Sequence, residues 1–347
     1  MDPRVTALQK QAASRPDVIG LAGGLPALKL LPREALAAAL AEVTASRDGA
    51  LQYGWPEGTE ALRAWIASRL ATRGASVDPE RVIVTAGAQQ ALWIAARVLG
   101  GAIAVGDATY AAALDAFRRA GAEVVETGGT ARYLIPGASN PHGVELVDRD
   151  EVLASTGPLI VDEAYAELRF DGVTPRPLIA DAPDRIWHIG TISKTLAPGL
   201  RVGWLIPPAA HHDAALELKS ACDLQTSGVS QAALARLLVS LDYDALLARA
   251  RAAYASRAAA LSDALHRHVP ALRFREPAGG FSIWLETERT GDELELLAAA
   301  LAAGVMVDPG FAFCPRARET IAIRASYSNL PEARLDEAAR RLARVLG

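Results

Sequence analysis

Between residues 81 and 206 the chain alternates between short β-branched runs and helix-like stretches, and no other feature constrains the fold as strongly. Strand-like runs are expected at 81–87, 102–106, 122–126, 132–136, 158–162, 186–192 and 202–206, with helices at 88–99, 110–120 and 148–154. Strands alternating with helices imply an α/β domain built on a largely parallel sheet. Ligands of such sheets bind at the carboxyl ends of the strands. Here that edge would present Gly87, Asp107 to Tyr110, Asn140, Asp162, Tyr165 and Ser193-Lys194.

The flanking segments suggest a second unit. Residues 1–20 read as a short helix and an extended arm. Pro32 suits the first position of a helix over 33–45, and Leu62, Trp65, Ile66 and Leu70 recur at helical spacing. Beyond 207 the pattern is mostly helical, with a long helix at 241–268 that would bridge two lobes. Strand-like runs at 272–275, 281–286 and 321–326, with helices at 291–303 and 331–346, then form a smaller α+β unit. The expected division is an arm with part of the small domain (1–44), a large domain (45–245) and a small C-terminal domain (246–347).

Composition excludes several classes. A formal charge of −4 offers no electrostatic case for nucleic acid. The opening MDPRVTALQKQ lacks the apolar segment of a signal peptide, and the longest apolar run, 296–307, is too short to span a bilayer. Cys222 and Cys314 are isolated, and His211-His212 has no third ligand nearby, so neither a disulfide framework nor a metal site is expected. A cytoplasmic enzyme fits these bounds.

Lys194 ends the buried strand-like run 186–192 in the turn Ser193-Lys194-Thr195. Alone, a lysine there is most simply a surface residue with its stem packed and its ammonium in water. The alternatives are an ion-paired lysine or a reactive amine with a depressed pKa. Asp162, acidic at the end of an apolar strand, suits the acid beside a cationic ring, with a helix cap or an arginine partner as the plainer readings. Gly87, Ala88 and Gln89 lie where a strand turns into a helix, a natural anion site, and Arg201 with Thr191 and Ser193 adds a cation and hydroxyls. No GxxxxGK[ST] or GxGxxG stands at a strand–helix turn.

Nine motifs carry a resemblance. In order they are AGGLP (22–26), QYGWPEGTEALR (52–63), TAGAQQAL (85–92), DATYAAALDAFRRAGAEVV (107–125), NPHG (140–143), VDEAY (161–165), SKTLAPGLRVGW (193–204), PAGGFSIWL (277–285) and RASYS (324–328). Across most of its length the chain resembles class I/II aminotransferases of the type I fold, which use pyridoxal 5'-phosphate (PLP). It is nearest the group holding 2-aminoadipate aminotransferases and the aminotransferase-like domains of MocR regulators.

The resemblance implies roles. Lys194 would be the Schiff-base lysine and the acid/base at the substrate Cα, Asp162 would pair the pyridinium, and Tyr110 would stack on the ring. Asn140 and Tyr165 would bond the phenolic oxygen. Gly87, Ala88, Gln89, Thr191, Ser193 and Arg201 would form the phosphate site, joined by Tyr53 of the partner subunit in a homodimer. Arg324 would clamp the substrate carboxylate, helped by Gly24 and Asn140. The segment 25–33 resembles one that closes over substrate, so that Lys29 or Arg33 would meet a distal carboxylate or its leucines would line an apolar pocket.

Three positions depart from the family pattern. Thr191 stands for the usual serine, and His142 for the threonine of Asn-Pro-Thr-Gly. Only Thr127 to Ala131 separate the runs 122–126 and 132–136, far below the dozen or so residues of a parallel crossover. The sheet edge near 122–136 is therefore expected to be shortened, with one strand lost or the two paired differently. The reaction expected is amino transfer between an L-amino acid and a 2-oxo acid. Decarboxylation, elimination or cyclisation on the same scaffold is the alternative, and a PLP-binding sensor without turnover a further one. The absence of a winged-helix segment and of a basic patch weighs against the sensor.

Overall fold

The computed structural model describes residues 2–46 and 49–347; Met1, Arg47 and Asp48 lie outside it. The Asp2 carboxylate accepts from the Arg4 amide at 2.8 Å, and with Pro3 in the first turn this starts α1 (Pro3–Ala13). Strand β1 (Ile19–Gly20) leads through a glycine-rich segment to α2 (Arg33–Ala45) and α3 (Glu60–Thr72). Pro32 stands one place earlier than expected, as the residue preceding the helix.

The alternating region follows as β2 (Ile83–Thr85), α4 (Ala88–Leu99), β3 (Ala102–Ala104), α5 (Ala111–Arg119), β4 (Glu123–Val125) and β5 (Ala131–Leu134). It continues through α6 (Arg149–Ala154), β6 (Leu159–Asp162), β7 (Ile186–Thr191) and β8 (Gly203–Ile206). These strands form one seven-stranded sheet in the order β2-β8-β7-β6-β5-β3-β4. Only β8 runs antiparallel to its neighbours. Alternate side chains feed two cores. Ile160, Trp187 and Ile189 pack with Leu92 of α4 and Phe117 of α5, whereas Leu159, Val161 and Ile186 join the larger cluster on the other face.

The remaining helices are α7 (His212–Asp223), α8 (Gly228–Ser240) and the 26-residue α9 (Tyr243–His268). Then come β9 (Ser282–Glu286), α10 (Glu293–Ala302), β10 (Val305–Met306), β11 (Asp308–Pro309), β12 (Ala322–Ser326) and α11 (Glu332–Leu346). β11, β12 and β9 make an antiparallel sheet in which Asp308 and Trp284 both stand opposite Arg324. Leu335, Ala338, Ala339, Leu342 and Leu346 form the buried stripe of α11, a helix that packs on α9. Each such leucine contributes about 1.5–3 kcal/mol of burial. Parallel pairing of β1 with β10 ties the N-terminal arm to this part of the molecule.

One expectation changes and another is narrowed. The run 272–275 is not a strand: it makes a single bridge, Arg273 to Glu286, at the end of β9, and its charged residues then leave the edge. Of the two outcomes expected near 122–136, a lost strand or a different pairing, the structure shows the second. Both strands are kept, and they pair not with each other but with opposite sides of β3. What is missing is the helix between them. The crossover needs only residues 126–130 because β5 is staggered: its first residue, Ala131, is level with Ile103, one step below the Ala104–Val125 pair. The connection lies flat on β3, since a Cβ on Gly129 would stand 2.6 Å from the Ala104 nitrogen. The Thr130 hydroxyl completes the fit by donating to the Ala102 carbonyl at 3.0 Å.

Candidate active site

One cavity at the carboxyl edge of the large sheet is lined by residues from six separate segments, among them Gly24, Gln89, Tyr110, Asn140, Asp162 and Lys194. Strand β7 delivers the lysine. Its side chain, partly buried, places Nζ 2.9 Å from the Gly24 carbonyl, with the rings of Tyr165 and Phe281 at 5.5 and 5.8 Å. Burial pushes the Lys194 pKa down, against a smaller upward pull from Tyr110.

Strand β6 delivers Asp162. Its Oδ2 accepts from the Tyr133 hydroxyl at 2.9 Å and its Oδ1 from the Ala164 amide at 3.0 Å. Burial raises the Asp162 pKa, while these two hydrogen bonds and Lys194 oppose the rise. Tyr165, three residues on, is fully enclosed, and its phenol pKa is raised by burial. Tyr110 stands at the start of α5, raised in the same way.

The opposite end of the cavity is basic and rich in N–H groups. Gly87 precedes α4 with φ +78°, and the first residues of the helix, Ala88 and Gln89, line the cavity together with Arg201, where helix-start amides lack helical partners. A side chain at Gly87 is disfavoured by its backbone angle, and a Cβ there would lie 2.4 Å from Nη2 of Arg201 and displace that guanidinium. Arg201 itself has a left-handed backbone and donates from Nη2 to the Ala86 carbonyl at 3.1 Å. The Thr191 hydroxyl is 2.9 Å from both Ser193 Oγ and the Val202 carbonyl, so the threonine keeps the contacts of a hydroxyl at this position.

Arg324 enters from the small sheet. Its Nη1 donates to Oδ1 of Asn140 at 2.9 Å, and its Nε and Nη2 donate to Oδ2 of Asp308 at 3.1 and 2.6 Å. Gly24 sits among the Tyr165 hydroxyl, Lys194 Nζ and Arg324 Nη1.

Comparison with known proteins settles the family. The sequence profile described as aminotransferase class I and II matches residues 16–130 and 134–342. The chain belongs to the class I and II aminotransferases. It is 31% identical to a 2-aminoadipate transaminase of Thermus thermophilus, over 96% of this chain and 91% of that one. It is 32% identical to an aromatic-amino-acid aminotransferase of Thermococcus litoralis, over 95% and 88%. The fold superposes with a TM-score of 0.90 on the Thermus α-aminoadipate aminotransferase LysN, complexed with N-(5'-phosphopyridoxyl)-L-leucine, at 29% identity and covering 100% of this chain and 95% of that one.

The residues of this aminotransferase fit PLP by the chemistry of their donors. Helix amides, two hydroxyls and a guanidinium gather at one end for a dianion, a carboxylate waits for a cationic nitrogen, and an amine stands between. Of the residues singled out from sequence, Gly24, Ala88, Gln89, Tyr110, Asn140, Asp162, Tyr165, Thr191, Ser193, Lys194 and Arg201 line this one cavity. Gly87 and Arg324 adjoin it through Arg201 and Asn140. Tyr53 does not: it is 80% exposed and away from its own chain's cavity. Lys29 and Arg33 line a different groove with Leu241 and Arg249, while Leu25 alone of that segment reaches the cavity.

Sequence reasoning missed Tyr133, Phe281 and Asp308. Tyr133 sits in an apolar strand where a phenol reads as packing, and Asp308 reads only as the end of an apolar run. It also missed a relay behind Arg201. The Ala86 amide donates to Gln90 Oε1 at 2.8 Å, Gln90 Nε2 to Asp223 at 2.9 Å, and the buried Lys219 to Asp223 at 2.6 Å.

Proposed function

We propose that this aminotransferase moves an amino group between an L-amino acid and a 2-oxo acid with PLP held at Lys194. The observation that carries the proposal is the single cavity shared by Lys194, Asp162, Arg201 and Asn140, with Arg324 bonded to Asn140. When bound, PLP supplies an aldehyde that condenses with amines and a ring that accepts the electrons left when the substrate Cα loses its proton.

The chain's own residues do the rest. Asp162, its two oxygens held by Tyr133 and Ala164, is oriented to keep a ring nitrogen protonated. Lys194 Nζ is the one side-chain amine among the described residues lining the cavity, and burial favours its neutral form, which takes a proton at Nζ and returns it. Asn140 and Tyr165 bind a phenolic oxygen, and Tyr110 covers the ring. The α4 amides, Thr191, Ser193 and Arg201 hold the phosphate. Arg324 and Gly24 align the substrate carboxylate.

A homodimer is part of the proposal. Leu51, Tyr53 and Trp55 are 70%, 80% and 76% exposed, and Gln225 ties this stretch to the neighbouring exposed Leu224. Such an apolar patch suits a second copy of the chain, across which Tyr53 of the partner subunit would reach the phosphate. No helix among the described residues is long and apolar enough to cross a membrane. A cytoplasmic setting is supported by the free thiols of Cys222 and Cys314. The expected division at residues 44 and 245 belongs to the same proposal, supported by separate large and small sheets.

The test mixes protein, PLP and L-glutamate and follows visible absorbance. The amino form of the cofactor should accumulate and revert only when a 2-oxo acid is added. Release of carbon dioxide, ammonia or a cyclised product without need of an acceptor would sink the proposal. A donor panel of 2-aminoadipate, glutamate, leucine and aromatic amino acids then ranks the side chains accepted.

A further inference from the structure

Asp308 lies on β11 directly opposite Arg324 on β12, and both side chains are buried. Its two oxygens serve three segments. Oδ2 accepts from Arg324 Nη2 at 2.6 Å, from Arg324 Nε at 3.1 Å and from the Gly23 amide at 2.8 Å, and Oδ1 accepts from Gln9 Nε2 of α1 at 2.9 Å. A guanidinium has five N–H donors in a fixed plane. Asp308 takes the Nε–Nη2 edge and Asn140 takes one donor of Nη1. One N–H on each Nη is left, which matches the two oxygens of one carboxylate. Gly23 in turn precedes Gly24, whose carbonyl receives Lys194 Nζ. One carboxylate thus joins the arginine, the arm and the lysine.

We infer that Asp308 is a positioning residue for amino-acid binding. It fixes the plane of Arg324 so that two N–H bonds face the substrate carboxylate, and through Gly23 it sets the arm against Lys194. The inference rests on the reading of Arg324 as the carboxylate clamp. Charge alone predicts the opposite effect, because Asp308 offsets the cation that attracts substrate. Removing its charge would then tighten carboxylate binding, whereas removing a positioning residue loosens it. Because Oδ2 is shared, a carboxylate seated on the two remaining N–H bonds of Arg324 holds the guanidinium and Oδ2 in place and steadies the bond from the Gly23 amide.

The experiment uses the PLP-loaded protein and 4-methylpentanoate, a carboxylate without an amino group. Its dissociation constant is read by calorimetry and amide exchange over residues 19–27 by mass spectrometry. Wild type should bind the probe and slow exchange at Gly23. Asp308→Asn, which keeps the shape, should weaken probe binding by about tenfold and raise KM for the amino donor more than it lowers kcat. Probe binding to Asp308→Asn that is unchanged or tighter overturns the inference. So does wild-type probe binding with no change in Gly23 exchange, a measurement that holds even where the variant fails to fold. Equal binding to Arg324→Gln and wild type, or none to wild type, overturns the clamp reading itself and the inference with it.

Discussion

The Tyr133 hydroxyl donates to Oδ2 of Asp162 at 2.9 Å, joining β5 to β6 beneath the candidate cofactor site. Tyr133 is wholly buried and packs edge-on against Phe117 at 5.2 Å, so the phenol has no freedom to turn elsewhere. Burial drives Asp162 toward its neutral form, and this bond is one of the forces opposing that drift. Tyr133→Phe removes about 1.5–3 kcal/mol of charge-assisted bonding. PLP affinity should fall by about tenfold or more, and the acidic limb of the kcat profile should move to higher pH. Equilibrium dialysis and a pH–rate series check both.

Lys194→Ala should abolish the visible absorption of bound PLP and nearly all turnover. Far-ultraviolet circular dichroism should be unchanged, because among the described residues the side chain's one hydrogen bond is to the Gly24 carbonyl. Transamination near the wild-type rate would refute the role given to this residue.

Gly87→Ala forces a methyl group into the Arg201 guanidinium at a backbone angle that side chains avoid. The strain costs about 1–3 kcal/mol of stability. Displacement of Arg201 should weaken PLP and inorganic phosphate binding together. Urea unfolding and fluorescence titration separate the two effects.

His188 is fully buried, and among the described residues neither ring nitrogen has a hydrogen-bond partner; Glu163, itself paired with Arg73 at 2.5 Å, is 3.8 Å away. Burial depresses its pKa below the ordinary 6.5, outweighing the upward pull of Glu163. The unfolded chain therefore takes up a proton that the folded chain refuses. This residue's share of stability is intact above about pH 6.5 and is lost as the pH falls from there toward the folded value. Melting temperatures from about pH 5 to 8 should show that slope, and His188→Phe should flatten it.

Trp55→Glu puts a charge into the exposed patch of Leu51, Tyr53 and Trp55. Sedimentation should show a dimer becoming a monomer with weaker PLP retention. An unchanged dimer would place the subunit contact elsewhere.

The order of strands and helices was legible from residue 81 to 206 because period and length agree there, as at Ile186–Thr191 and Ala88–Leu99. The cavity-lining residues were legible because they fall in motifs that keep one order along the chain, with Asp162 closing an apolar strand and Lys194 and Arg201 in the turn after another. Asp308 and Tyr133 were not, since their partners are 16 and 29 residues away and only the folded sheets bring them together. At the crossover 126–130 the unusual edge was legible, but which of its two outcomes holds was not, for a related reason. Length rules assume that a parallel connection must climb back a full strand, and the stagger of Ala131 against Ile103 removes most of that climb.

That stagger separates two properties that usually travel together, handing the chain back to the next parallel strand and covering the sheet. Residues 126–130 do the first without the second. The turn ahead of Gly129 is therefore a natural port for grafting: a helix, a tag or a reporter domain inserted after Thr127 would extend outward from an edge already self-sufficient. Shortening the connection further would instead pull β5 out of register and, with it, the Tyr133 phenol away from Asp162.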